Sequence, residues 1–388
     1  MRGNDTLSLT SAELWAVKRT PSTPRAAVAQ DARAHNQSLI LGLLHASGPM
    51  TRPQLAAAMK LSQPTVTALV ADLLDEGMLR DMGVVAEARV GKPAARVEID
   101  LDGNAAAVID LSGGHLFTGA IVNLRGDITA RTSVEVGGVT GDAAIELAAR
   151  ILSDLVQSTP AQVLGVGVAS PGLVDDVGNI RVSDRLGLRH VDVAHAISSA
   201  TGLDVTVGND VNWMALGIRR FRDRETRDLL TVTIENGVGG AVILDSDLVP
   251  GEQFAAGEIG HVIVDPNGEE CVCGRRGCLE QVTGASHLLR RIESRPADEH
   301  DALVSGAGGK LGGFLAPIVS MLNLTDIALI GPEGLVQGLY ADAVLDVIRE
   351  RLLPAHGASI RVNVYEQDAD LVILGAASAV IEAQLGVR

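Results

Sequence analysis

Cys271, Cys273 and Cys278 are all the cysteines of a 388-residue chain, and their crowding into CVCGRRGC constrains the local fold more than any other feature. An odd number of thiols cannot all pair, and this spacing suits metal ligation better than a disulfide framework. A closed structural zinc site takes four nitrogen or sulfur ligands in a tetrahedron. His261, upstream in GEIGHV, is the natural fourth ligand, and the turn-rich VDPNGEE between them can fold the chain back. Gly274 and Gly277 relieve the backbone where it must wrap the ion. Three ordinary reduced cysteines are the alternative, and they leave the tight spacing without a reason. With no open coordination position the zinc is expected to be structural. It would hold Glu258 and Glu280 in fixed relation, and paired acceptors of this kind suit the vicinal hydroxyls of a sugar. Taken singly, each glutamate reads more readily as a solvated surface residue or an ion-pair partner.

The chain is long enough for two or three domains, and 46% hydrophobic residues support real cores. MRGNDTLSLTSAELW lacks the pattern of a secretory signal, and no apolar run approaches the roughly 18 residues that span a bilayer. A cytoplasmic location without a membrane partner is the expectation. A net charge of -16 weighs against nucleic-acid binding. However, residues 1–100 carry eleven Lys and Arg against ten Asp and Glu, so the acidic excess lies in the remainder. An aromatic content of 2% disfavours single-strand recognition by base stacking.

Residues 1–35 show scattered charge and prolines without an apolar period, and read as a flexible tail. Residues 36–101 read as a winged helix-turn-helix, mainly α. Leu39, Ile40, Leu43 and Leu44 have helical spacing, and SGP closes that helix. TRPQLAAAMK gives a second, short helix. In QPTVTALVADLLDEG, Val66, Leu69, Val70, Leu73 and Leu74 form one stripe, with Ser62 placed to cap it. The N-terminal part of such a last helix can enter a major groove, which singles out Gln63, Thr65 and Thr67. Two strands around a Gly-Lys-Pro tip would follow, with Arg89, Lys92 and Arg96 available for phosphates or a minor groove. The plainer reading is three core helices and a hairpin.

From residue 102 to 388 strands mix with helices, which argues an α/β unit, with two lobes around a cleft. Here GEIGHVIVDPNGEECVCGRRGCLE resembles, almost position for position, the zinc-and-sugar signature of the ROK family of repressors, uncharacterised reading frames and sugar kinases. VGVASPGLVD, VGNDVN and LGAAS look like further landmarks. The resemblance implies an actin-like or hexokinase-like two-lobed domain, with a zinc loop near 258–280 and a sugar in the interlobe cleft. By the same resemblance His261 holds zinc and touches sugar, Glu258 and Glu280 accept from hydroxyls, and Asn209 and Asp210 match an Asn-Asp pair. In the family's kinases that Asp is the general base; without the family, Asn-Asp after a strand reads as a turn or helix cap.

The chain departs from the kinase pattern where phosphate should bind. The first loop, Asp-x-Gly-Gly-Thr-Lys in the family, is Asp110-Leu111-Ser112-Gly113-Gly114-His115 here. The second, Gly-Thr-Gly-Ile-Gly, is Glu235-Asn236-Gly237-Val238-Gly239. A third Gly-rich turn is Gly331-Pro332-Glu333-Gly334. Glu235 would set a carboxylate against a triphosphate. These changes imply a receptor rather than an enzyme, with Asp210 a binding residue. The sequence expectation is a sugar-responsive DNA-binding regulator, a repressor, acting on double-stranded operator DNA as a homodimer or homotetramer. A ROK sugar kinase with an accessory DNA-binding domain is the alternative.

Overall fold

In the computed structural model the described residues are 29–84, 95–223, 226–235, 237–366 and 369–386. The first unit comprises α1 (Ala29–Ser47), β1 (Met50–Thr51), α2 (Arg52–Met59), α3 (Gln63–Asp75), β2 (Leu79–Val84) and β3 (Ala95–Ile99). Caps explain its boundaries. Thr51 and Gln54 form a reciprocal capping box at α2, and the Ser62 hydroxyl accepts from the Thr65 amide at the start of α3. Strands β2 and β3 pair antiparallel, with Leu79 opposite Ile99, and β1 flanks β3. The winged arrangement is therefore present. The expected tip residues Arg89 and Lys92 lie outside the described residues, as do residues 1–28.

One boundary needs correction. Residues 29–35, read as part of a tail, are helical. Arg33 pairs with Asp72 of α3, and Ala34 and Gln37 line a crevice shared with Leu164 and Leu385 from the second unit. Those tertiary contacts offset the entropy of ordering a turn that carries no apolar period of its own.

The rest of the chain builds two lobes on one plan. The first runs β4 (Asn104–Asp110), β5 (Leu116–Asn123), β6 (Ile128–Glu135), α4 (Asp142–Ser158), β7 (Gln162–Ser170), β8 (Leu173–Val174), β9 (Asn179–Ser183), β10 (Leu188–Asp192), α5 (Val193–Thr201), β11 (Val205–Asn209) and α6 (Asp210–Gly217). The second runs β12 (Leu229–Ile234), β13 (Val238–Leu244), β14 (Asp247–Leu248), α7 (Leu279–Thr283), α8 (Ala285–Glu293), α9 (His300–Leu322), β15 (Asp326–Gly331), α10 (Leu339–Arg351), α11 (Pro354–Gly357), β16 (Arg361–Glu366) and α12 (Ala369–Leu385). The main sheets have the orders β11-β7-β4-β5-β6 and β14-β13-β12-β15-β16. In each, an antiparallel meander leads into two parallel strands, so the lobes repeat a topology that the sequence does not reveal as a repeat.

Helices α6 and α12 close the two repeats and pack together between the sheets. Their side chains share one core with Val108 and Ala120 of the first sheet and Ile243 and Ile330 of the second. Helices enclosed on all sides should be apolar all round, and DVNWMALG and LVILGAASAV are close to that. The segment 297–322, which includes α9, is long and apolar enough by length and composition to cross a membrane, contrary to the sequence reading of short apolar runs. In the fold Leu311, Leu315 and Val319 of α9 are fully buried in the second lobe's core.

The units are joined tightly. Ile381 and Leu385 of α12, with Leu124, belong to the same core as Ile40, Leu55, Val70 and Leu79. The Asn104 amide donates to the carbonyls of Gly77 and Asp100.

Candidate functional site

Three strand ends meet where the two lobes face each other. Asp110 ends β4 and is almost completely buried. Its Oδ1 accepts from the Ser112 amide and hydroxyl, at 2.7 and 2.6 Å, yet burial holds its carboxyl above the usual range. Asn209 and Asp210 sit at the junction of β11 and α6. Asn209 caps α6, its Oδ1 accepting from Val211 and Asn212 at 2.9 and 3.2 Å, and its amide donates to the Gly172 carbonyl. The cap reading of Asn-Asp thus holds, and it leaves Asn209 one amide hydrogen for a ligand. Asp210 is pushed up to about 7, first by burial and then by the neighbouring charge of Asp110, with Glu235 and Glu258 adding to it. From the second lobe Glu235 follows β12. Burial and Asp110 raise it to about 7, against the opposing pull of Arg185.

Beside this acidic floor lies the cysteine loop. One nitrogen of His261 and the three sulfurs of Cys271, Cys273 and Cys278 all lie within 4.8 Å of one another. The Sγ atoms of Cys273 and Cys278 are 3.6 Å apart, close to the edge of about 3.8 Å expected for a tetrahedron with Zn–S bonds of about 2.3 Å. His261 turns its Nδ1 toward Cys271, at 3.5 Å, so Nε2 lies on the other side of the ring. The Arg275 guanidinium, 3.4 Å from the Cys273 sulfur, lowers that thiol to about 6, whereas burial pushes Cys271 up to about 12. Gly277 is required here: its φ is +68° and the Asp265 carbonyl lies where a Cβ would go. The donor set of one imidazole and three thiols fits a structural zinc ion, and the cage could hold one.

The cage reaches the cleft through Glu280. Buried in the first turn of α7, it accepts from the Cys271 thiol at 2.9 Å and lies 3.6 Å from His261 Nδ1. Its other oxygen faces Gly237, next to Glu235 in chain but one. Glu258 keeps much of its own surface open, yet the surrounding protein mass raises its carboxyl, with His261 opposing and Glu280 reinforcing the shift. The fold therefore brings Asp210, Glu258, His261 and Glu280 within electrostatic reach of one another, with Asn209 beside Asp210.

On the winged unit Gln63, Thr65 and Thr67 are exposed at the start of α3, as a groove-entering helix requires. The Thr65 hydroxyl already meets Ser62 at 2.7 Å, which leaves Gln63 and Thr67 the freer readers. Arg96 lies in β3 opposite Thr51 of β1.

Known proteins place this architecture. The sequence model of the ROK family matches residues 107–383. The chain belongs to the ROK family. A MarR family model also matches residues 33–81, the helices of the winged unit. Among curated relatives of this ROK protein are the DNA-binding transcriptional repressor Mlc of Escherichia coli K12, 23% identical over 84% of this chain and 88% of that protein, and the xylose repressor of Bacillus subtilis 168, 26% identical over 67% and 68%. A solved ROK family transcriptional regulator, a homologue of the E. coli Mlc protein, superposes with a TM-score of 0.80 at 20% identity, covering 91% of this chain and 98% of that one. The ROK glucokinase of Streptomyces griseus, solved with glucose and AMPPNP, gives 0.61 at 22% identity over 71% and 98%. The regulator's likeness extends over the winged helix-turn-helix and the two-lobed α/β ROK domain, whereas the glucokinase's, over 71% of this chain, carries the two-lobed fold alone.

Two features escaped the sequence reading. Arg185, whose guanidinium donates to the Ser112 carbonyl, sits in SDRLGLRH, a stretch with no motif to mark it. The tie between α12 and the winged unit had one signal, the all-round apolarity of that helix, but nothing pointed to its target.

Proposed function

We propose that this ROK protein is a sugar-responsive, DNA-binding transcriptional regulator that represses genes of carbohydrate metabolism. The observation that carries the reading is the core that joins the unit with the exposed α3 N-terminus to α12, which in turn packs on α6, the helix that begins at Asp210. The names of relatives support it: Mlc repressor, xylose repressor and N-acetylglucosamine repressor. Asp210, Glu258 and Glu280 accept from sugar hydroxyls, while His261 Nε2 donates or accepts and the remaining amide hydrogen of Asn209 donates at the rim. A structural zinc in the His261, Cys271, Cys273 and Cys278 cage fixes Glu258 and Glu280 relative to each other. Gln63, Thr65 and Thr67 read a major groove of operator DNA, and Arg89, Lys92 and Arg96 engage its backbone. Two winged units in a homodimer would meet half-sites about one helical turn apart. A DNA partner places the protein in the cytoplasm.

Sugar alters DNA affinity only in so far as it binds the DNA-competent and DNA-incompetent forms unequally. The joint between α12 and the winged unit gives that difference a route.

A second reading, a sugar kinase with an accessory DNA-binding domain, draws on Asp210, since a carboxylate titrating near 7 suits proton removal from a hydroxyl. Against it stand Gly114 and His115 in place of Thr and Lys, and Glu235 at the second phosphate loop. Fluorescence anisotropy with DNA from upstream of the protein's own and adjacent genes, with and without monosaccharides, decides between them. Specific binding changed by one sugar supports the regulator. ATP-dependent phosphorylation of a hexose, assayed alongside, supports the kinase.

A further inference from the structure

We propose that Glu235 makes the cleft selective for unphosphorylated sugars, accepting a hydrogen bond from a ligand hydroxyl and repelling phosphate esters. This rests on the reading of the cleft as a sugar site.

The turn that carries Glu235 is pinned from both sides. Its amide donates to the Gly237 carbonyl at 2.9 Å, and its carbonyl accepts from the Ser286 amide at the start of α8, at 3.5 Å. The side chain is thus set in place by main-chain contacts rather than by an ion pair. Its Oε1 is buried and has no hydrogen-bond partner among the described residues. A buried acceptor without a donor is costly and marks a place where a ligand group completes the structure. A sugar hydroxyl supplies the missing donor. A phosphate group set against Glu235 near neutral pH offers mainly acceptor oxygens and cannot.

The charges facing Glu235 point the same way. From the first lobe come Asp110 at the end of β4 and Asp210 at the start of α6; Glu280 Oε2 faces the same turn at Gly237, and Glu258 lies within electrostatic reach of Asp210 and Glu280. Arg185, which donates to the Ser112 carbonyl, opposes them with a single positive charge, and His261 is turned toward the thiols. An anionic ligand therefore meets a surplus of carboxylates on both walls, in a place where burial weakens solvent screening. A neutral polyol carries no charge for these carboxylates to repel, and its hydroxyls can donate to them. Because Glu235 titrates near 7, its repulsion of phosphate grows as pH rises through that value, whereas its bond to a hydroxyl survives in both protonation states.

The test is calorimetric titration of the full chain with D-glucose, D-xylose and N-acetyl-D-glucosamine, each beside its phosphate ester, at pH 8. The parent sugar that binds should do so at least tenfold more tightly than its ester. Glu235→Gln should shrink that ratio about tenfold, mainly by strengthening ester binding. Tighter binding of the ester than of its parent by the unmodified chain overturns the assignment and leaves the cleft a sugar site. Failure of every parent sugar and every ester to bind overturns the sugar reading itself, and the assignment with it. A ratio unmoved by Glu235→Gln, in a variant with the parent's melting temperature, removes Glu235 from the role.

Discussion

Gly375 of α12 rests against the backbone carbonyl of Trp213 in α6, with no space for a side chain between them. The two helices close the two repeats, and α6 begins at Asp210 on the cleft floor. Any Cβ at this crossing must push the helices apart through a packed core. Gly375→Ala is therefore expected to cost about 3 kcal/mol, at the upper end of ordinary overpacking. Urea unfolding measures it, and an unchanged midpoint would mean that the crossing has slack.

Stability should depend on pH through the cleft carboxyls. Burial raises Asp210 and Glu235 to about 7, from reference values of 3.8 and 4.5. Between those limits the native state keeps protons that the unfolded chain releases, so stability falls as pH climbs from about 4 to 7 and then levels off. Glu235→Gln removes one of the two groups. The drop in melting temperature between pH 5 and pH 8 should be smaller in the variant than in the parent, and equal drops would show that Glu235 titrates as it does in water.

Metal analysis of the purified chain should return about one zinc per chain. Cys271→Ser removes a ligand outright and is expected to weaken metal binding by more than the roughly 10- to 100-fold seen when only an outer-shell partner is lost. Glu280→Ala leaves the four ligands in place, so it should retain the metal while weakening sugar binding. A variant that lost both together would make Glu280 part of the cage rather than of the cleft.

Leu385 is 3% exposed and packs into the winged unit's core. Leu385→Ala should cost about 2 to 5 kcal/mol as a buried cavity. Its signature should be regional: amide exchange in α1 and α3 accelerates while the strands β4 and β12 stay protected. A uniform acceleration would mean that the two units unfold as one.

On DNA, Gln63→Ala is expected to cost about 1 to 3 kcal/mol for the preferred operator and to relax selection at one base pair. Arg96→Ala should weaken binding to all sequences alike and flatten the salt dependence by about one unit. Anisotropy titrations at several salt concentrations separate the two outcomes.

Much of this was legible in the chain. The α3 stripe and its Ser62 cap, the strand runs of the first lobe, and the four donors around CVCGRRGC are local patterns whose spacing forces their geometry. What could not be read was non-local. Ala29 to His35 are helical because Asp72 and Leu385 receive them, and no window of sequence contains both sides of that contact. The repeated sheet order is likewise hidden, because β4 and β12 share a place in the topology without sharing residues. Asn209 shows the limit from the other direction: its motif suggests ligand binding, while its side chain spends most of its bonds capping α6.

The shared core built by Ile381 and Leu385 has a consequence for the newly made protein. Synthesis proceeds from the N-terminus, and early segments generally fold first. Here the DNA reader leaves the ribosome with one wall of its core still uncoded, and waits through the making of both lobes before α12 arrives to seal it. A chain broken off by a premature stop in the second lobe would carry the whole winged unit and still lack its closing helix. Late synthesis and truncation therefore bear first on the stability of the winged unit, because Ile381 and Leu385 are the last of its core residues to be made.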